Sequence, residues 1–127
     1  GITLDVGHML HHGGQPLSPF GSLGELVRHI GPFTLNHLHV HDVRQGRDHL
    51  EFGDGGEVDL ADLCRALRGI GYARALCLEL NPDAVSPDGM ARCLAAVRHA
   101  WASRTSEAAP GVDDDQPKPI AGAQHGR

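Results

Sequence analysis

Three short stretches of the chain alternate between aliphatic and polar residues, a pattern that predicts β-strands covered on one face only. They run from Ile2 to Asp5, from Phe33 to His41 and from Ala75 to Leu80. Because successive side chains of a strand point to opposite faces, each stretch offers one aliphatic face to a helix layer and one polar face.

Between and after these strands, apolar residues recur at helical spacing. Ser22 and Glu25 form a capping box before the first predicted helix, and Asp59 is the predicted N-cap of a second that ends near Gly69. Ser86 and Pro87 open a third helix with one apolar stripe, formed by Met90, Cys93, Leu94, Val97 and Trp101. The order strand, helix, repeated three times, predicts an α/β fold with parallel strands in right-handed βαβ units.

Two longer connections have loop composition. The segment from Met9 to Phe20 is rich in Gly, Pro and His, and its length suits a lid. The segment from Arg44 to Gly56 is polar and glycine-rich, so it is also predicted as a loop. Its glycines at 53, 55 and 56 fit either simple turns or an anion-binding backbone.

Composition narrows the function classes. The net charge is -5 and Lys118 is the only lysine, so no basic stripe for nucleic acid is visible. No window approaches the ~20 apolar residues of a membrane span, and no signal pattern is present, so we expect a soluble, cytoplasmic protein without a membrane partner. Cys64, Cys77 and Cys93 are predicted to be buried free thiols.

The two ends of the chain differ in character. Gly1 precedes residues that already resemble the interior of a strand, so we expect the chain to be a piece of a longer protein. From residue 103 to residue 127 large apolar residues are almost absent, and this tail is predicted to be disordered.

The clearest candidate chemistry lies around the second strand. His37, His39 and His41 share one side of it, where they are either hydrogen-bonded core residues or contacts for a metal or substrate. In parallel α/β folds, functional residues gather at the C-terminal ends of strands. Asp5, His39 and Glu79 occupy these ends on three successive strands, which predicts a shared metal site.

Four motifs carry a family resemblance, namely Leu4-Asp5-Val6-Gly7-His8, His37-Leu38-His39-Val40-His41-Asp42, the run from His49 to Gly55, and Leu78-Glu79. In this order they resemble the last three strands of the xylose isomerase-like TIM barrel superfamily. That superfamily includes sugar-phosphate isomerases and epimerases, inosose dehydratases and AP endonucleases of family 2, the endonuclease IV type. The resemblance implies that residues 1–102 are the C-terminal three βα units, strands six to eight, of a (β/α)₈ barrel.

The resemblance also implies site roles. One divalent metal (Mn²⁺, Mg²⁺, Co²⁺ or Zn²⁺) would be held by Asp5, His39 and Glu79 together with a glutamate from an earlier strand, which this chain lacks. Glu79 would also transfer a proton through a metal-stabilised enediolate. The expected contacts to a sugar or polyol substrate are His8, His37, Arg44, Arg47 and His49.

The leading hypothesis is therefore the C-terminal part of a metal-dependent sugar or sugar-phosphate isomerase or epimerase. The alternative is a non-catalytic fragment or metal-binding remnant. A nuclease is disfavoured, because Arg47 stands two residues before His49, where the endonuclease pattern has an aspartate, and Asp48 is displaced by one. We expect the isolated chain to be inactive, and its open strand edges to favour a homo-oligomer.

Overall fold

The computed structural model describes residues 1–11, 17 and 19–103. In chain order the elements are β1 (Ile2–Asp5), α1 (His8–His11), α2 (Leu23–Ile30), β2 (Leu35–Val40), β3 (Asp42–Arg44), β4 (Arg47–Leu50), α3 (Leu60–Gly69), β5 (Leu76–Leu78) and α4 (Pro87–Ala102). The predicted disordered tail lies, apart from Ser103, outside the described residues, as do residues 12–16 and 18 of the predicted lid.

The main sheet has three parallel strands in the order β1, β2, β5, as the α/β prediction requires. Asp5 pairs with His39 of the central strand, and His39 pairs in turn with Cys77. The aliphatic face is buried beneath the helices, with a core that includes Leu4, Val27, Leu35, Leu38, Val40, Leu63 and Leu67. The opposite, polar face is only partly covered by the described residues.

The predicted helix starts are confirmed by their capping bonds. The hydroxyl oxygen of Ser22 accepts from the N–H of Glu25 at 3.2 Å, Asp59 accepts from Asp62 at 2.9 Å, and Ser86 accepts from Gly89 at 3.1 Å. The capping box is modified, because the Glu25 carboxylate accepts from the N–H of Gly21, one residue before the N-cap. Each of the three N-cap bonds satisfies a backbone donor that a helix leaves unpaired at its first turn.

The predicted loop after β2 begins as an antiparallel hairpin of β3 and β4, so the sequence-based prediction is wrong there. Its two-residue turn, Gln45 and Gly46, has positive φ at both positions, 51° and 72°, as the turns that match strand twist require. The base is fixed by buried Asp42, whose Oδ1 accepts backbone N–H groups from Val43, Glu57 and Val58 at 2.9 to 3.1 Å.

The glycine-rich segment that follows serves this anchor. Gly56 donates to the carbonyl of Gly53 at 3.0 Å, which closes a turn. A Cβ at Gly56 would overlap the carboxylate of Asp42, so the close approach requires glycine. Gly55 has a positive φ of 75°, so turn formation and this packing account for Gly55 and Gly56. The anion-binding alternative stays a prediction.

The prediction of three buried thiols is wrong in part. Cys64 and Cys93 are buried free thiols, and burial raises the pKa of both, but Cys77 is exposed because it lies on the polar face of the edge strand β5. On α4, Met90, Leu94 and Trp101 are 54%, 42% and 40% exposed, so most of the predicted apolar stripe is uncovered by the described residues.

The short helix α1, His8–His11, begins one residue before the segment that was predicted as a lid loop and continues into it. No helix in the described ranges is long and apolar enough to cross a membrane.

Candidate active site

The side chains of Asp5, His39 and Glu79 meet at the C-terminal edge of the parallel sheet. Asp5 ends β1, His39 is the penultimate residue of β2, and Glu79 directly follows β5. One potential ligand atom from each lies within 4.8 Å of the others. The positions follow from the strand pairing, because Asp5 and Cys77 flank His39 in register and Glu79 continues the pairing through its N–H to the carbonyl of Val40 at 3.1 Å.

Glu79 has an unsatisfied acceptor at this edge. Its Oε2 lies 2.9 Å from Nδ1 of His39, but the direction of this contact is wrong for a hydrogen bond. This oxygen is buried and has no hydrogen-bond partner in the described part of the chain. The side chain as a whole is 42% exposed, because β5 is an edge strand. A buried carboxylate oxygen without a donor is stabilised by a cation.

Asp5 accepts several donors. Its Oδ1 lies 3.0 Å from the backbone N of His8 and 3.0 Å from Nε2 of His41, and its Oδ2 lies 2.7 Å from Nδ1 of His8. Burial raises the pKa of Asp5, but the His8 hydrogen bond and the His41 and His8 imidazoles outweigh it, so the pKa lies below its ordinary value. Asp5 is therefore held as a carboxylate.

A second group of side chains, His8, His41 and His49, adjoins the first. The rings of His41 and His49 are stacked, with centroids 4.1 Å apart and planes 6° apart, and the ring of His8 contacts both edge-on at about 5 Å. Potential ligand atoms of the three histidines lie within 4.8 Å of one another. His41 is fully buried, whereas His8 and His49 are half-buried.

Asp48 belongs to this second group, which corrects one part of the sequence-based argument. Its carboxylate lies 3.3 Å from Nε2 of His8 and 3.1 Å from Nδ1 of His49. The displaced aspartate therefore still supplies an oxygen beside both histidines, while Arg47 lines a different cavity. The case against a nuclease then depends on the acidic composition alone.

The predicted substrate contacts are divided between two places. His37 lies beside His39, with ring centroids 5.2 Å apart, and His8 and His49 lie beside Asp5 through the contacts above. Arg44 and Arg47 instead line a cavity of about 250 Å³ with Gln45, Leu50, Glu51 and Ala84. The Nη2 atom of Arg44 lies 4.0 Å from the Asp42 carboxylate, so this arginine also contacts the base of the hairpin.

His41 and Asp48 are two neighbours of the site that the sequence analysis did not include among the expected metal ligands and substrate contacts. His41 was visible as the third member of a histidine alternation, but its contact with Asp5 spans 36 residues and depends on strand register. Asp48 lies on β4, and its position follows from the hairpin that was predicted as a loop.

The sequence profile of a family described as the xylose isomerase-like TIM barrel matches residues 1–97. Among solved structures, the chain is similar to one titled "Structure of L-ribulose 3-epimerase", with 23% sequence identity and a TM-score of 0.45. That similarity covers 83% of this chain and 30% of the other, so the chain spans less than a third of that protein's length. No curated protein matches the chain.

Proposed function

Because the chain belongs to the xylose isomerase-like TIM barrel family, we propose that it forms strands six to eight of such a barrel. In this proposal it supplies the C-terminal part of the active site of a metal-dependent sugar or sugar-phosphate isomerase or epimerase. The observation that carries the proposal is the convergence of Asp5, His39 and Glu79 from three successive strands to within 4.8 Å. Chemistry in this fold gathers at that end of the strands.

The donor set fits a divalent cation. Two carboxylates and one imidazole are the mixed oxygen and nitrogen ligands that Mn²⁺, Mg²⁺, Co²⁺ or Zn²⁺ accept. The buried Oε2 of Glu79, which lacks a hydrogen-bond donor among the described residues, supports the same assignment. When bound, such an ion supplies Lewis-acid polarisation of adjacent carbonyl and hydroxyl groups.

The chain's own residues then divide the remaining work. Glu79 takes or returns the proton on the sugar carbon next to the carbonyl, since a carboxylate oxygen not used as a ligand is a competent base. His37, which lies beside His39, donates a hydrogen bond to a substrate oxygen, and His8 does so through Nε2 in place of its 3.3 Å contact with Asp48. His49, Arg44 and Arg47 contact more distant substrate oxygens, or a phosphate group where the sugar carries one.

The test is Glu79→Gln in the whole polypeptide that carries this chain. The amide keeps the shape and one ligating oxygen but removes the charge and the basicity. We expect weaker Mn²⁺ binding, a fall of about 10²-fold or more in isomerisation, as is usual for a lost general base, and slower exchange of the carbon-bound substrate proton with solvent deuterium. The assay uses a panel of free and phosphorylated ketopentoses and ketohexoses.

Glu57→Gln is the matched control, because Glu57 is an exposed carboxylate outside the predicted site. It makes the same chemical change and is expected to alter neither metal binding nor exchange. If Glu79→Gln retained near-normal deuterium exchange at saturating Mn²⁺, the proton-transfer role would be wrong. If the wild-type polypeptide bound no divalent metal, the alternative of a non-catalytic fragment or remnant would replace the proposal.

A further inference from the structure

His41 is the most completely enclosed polar side chain near the candidate active site. It has 0% exposure, its ring stacks on His49, and both of its ring nitrogens have close polar neighbours. Gly7 makes room for it, since a Cβ at residue 7 would overlap the imidazole ring. A buried imidazole with this packing has one orientation, and its hydrogen bonds define what it does.

The bonds of His41 fix its tautomer. Nδ1 lies 2.8 Å from the backbone nitrogen of His49, a group that is always a donor, so Nδ1 accepts and carries no proton. The carbonyl oxygen of Asp42 lies farther from Nδ1, at 3.4 Å, and would suit only the opposite tautomer. A neutral imidazole has one N–H, so the proton is on Nε2, which faces Oδ1 of Asp5 at 3.0 Å.

The backbone N–H that donates to Nδ1 of His41 belongs to His49, which has an uncommon backbone conformation. Its φ is 54°, in the left-handed region that a residue with a side chain seldom occupies. Such strain persists only where surrounding contacts hold it, and it is concentrated at functional sites. The donor to Nδ1 of His41 is therefore held in place by the β3–β4 hairpin.

The same bonds decide between two roles for His41. To bind a cation through Nε2 while Nδ1 accepts a hydrogen bond, the ring would need to lose its single proton and become an imidazolate. If His41 instead donates from Nε2, the ring keeps its single proton and stays neutral, and Asp5 is an anion at hydrogen-bond distance. The proximity of His41 to His8 and His49 is therefore insufficient to make it a ligand.

We propose that His41 is a positioning residue that orients the Asp5 carboxylate through its Nε2–H and does not bind the metal itself. The proposal rests on the proposed function, in which Asp5 is a metal ligand. Hydrogen bonds that orient a ligating group commonly change metal affinity by about 10- to 100-fold when they are removed. Two consecutive hydrogen bonds, from His41 to Asp5 and from the His49 backbone to His41, couple the end of β1 to β4.

The first test measures Mn²⁺ affinity by the electron paramagnetic resonance signal of free Mn²⁺, in the whole polypeptide that carries this chain. We expect His41→Leu to weaken binding by about 10- to 100-fold, and His41→Gln, which restores an N–H donor at similar reach, to recover most of that loss. Val43→Ala is the matched control, because Val43 is equally buried and has no polar side-chain atom to bond Asp5. It lowers stability without changing the affinity of the folded protein.

The second test needs no variant and reads the tautomer directly. With histidines labelled with ¹⁵N and Mg²⁺ as the ion, long-range ¹H–¹⁵N correlations should show His41 protonated at Nε2 and unprotonated at Nδ1. A His41 protonated at Nδ1, or a His41→Leu affinity equal to that of the wild type, would overturn the proposal. Loss of an entire metal equivalent in His41→Leu would also overturn it, since it would make His41 a ligand.

His49→Gly separates the backbone of His49 from its ring. Glycine keeps the N–H and favours the positive φ, so we expect the His41 tautomer and the Mn²⁺ affinity to be retained. Loss of both would contradict the proposal. If the wild type bound no Mn²⁺ at all, the proposed function would fail, while the tautomer and the Asp5 carboxyl ¹³C shift in His41→Leu would still decide whether His41 donates to Asp5.

Discussion

Replacement of Gly7 by alanine should damage the site through a single added methyl group. That methyl would overlap Cε1 and both nitrogens of the His41 ring. The ring has little room to retreat, because it is fully buried and stacks on His49 with centroids 4.1 Å apart. Either the backbone at residue 7 moves or the 3.0 Å bond from His41 to Asp5 breaks.

The expected cost is the sum of two terms. A lost hydrogen bond to a charged group costs about 1.5–3 kcal/mol, and forcing an extra carbon into a packed interior costs about 1–3 kcal/mol. The reduced freedom of the unfolded chain returns about 0.4–1 kcal/mol. The free energy of unfolding should therefore fall by roughly 1.5–5.5 kcal/mol, against the ~5–15 kcal/mol that a folded protein has.

The assay is urea unfolding followed by circular dichroism, together with Mn²⁺ affinity, in the whole polypeptide that carries this chain. Gly69→Ala is the control, because a Cβ there has open space and the residue ends α3. It should raise the free energy of unfolding by about 0.5–1 kcal/mol and leave Mn²⁺ affinity unchanged. A Gly7→Ala protein with wild-type stability and affinity would refute the packing argument.

Three further predictions concern other parts of the chain. His8→Ala should change KM or kcat and, because it removes the 2.7 Å contact to Asp5, should also weaken Mn²⁺ affinity, while metal content at saturating Mn²⁺, measured by mass spectrometry, stays near normal; loss of most of the metal at saturation would make His8 a ligand. The Arg68 guanidinium donates to the carbonyls of Ala100, Trp101 and Ser103. Arg68→Met should therefore lower the free energy of unfolding by about 1–2 kcal/mol and speed hydrogen exchange at the end of α4. An unchanged exchange rate would contradict this prediction. The isolated chain, whose β1 and β5 are open edges in the described sheet, should self-associate in analytical ultracentrifugation, whereas a monodisperse, cooperatively melting monomer would contradict the expectation.

The predictable part of the fold is the part encoded locally. Helix starts depend on one side chain and a donor three residues later, so Ser22, Asp59 and Ser86 were sufficient to place them. The hairpin was missed because Gln45-Gly46 is a weak turn signal, and because its anchor, Asp42, bonds residues 15 and 16 positions away. The exposure of Trp101 could not be predicted, because a helical stripe predicts an apolar face without predicting what covers it.

In the candidate site, too, some residues were predictable from local sequence and others depend on long-range contacts. The rule that functional residues lie at strand ends was sufficient to select Asp5, His39 and Glu79, and the structure brings these three together. The bond between His41 and Asp5 depends on the register of β1 against β2 and on the space at Gly7. Neither the strand register nor this space can be predicted from the spacing of histidines. The alternating sequence pattern therefore identified the histidines but not the residues that they contact.

The hairpin joins a rigid base to an exposed tip, and this has an evolutionary consequence. Asp42 fixes the base through three backbone bonds, whereas the side chains of Gln45 and Arg47 are exposed, and the turn itself depends on the positive φ of Gln45 and Gly46. Substitutions of the exposed side chains that keep this turn conformation should therefore be inherited without disturbing the base. A lineage can diversify what it recognises at the tip while the chemistry at the strand ends is passed on unchanged.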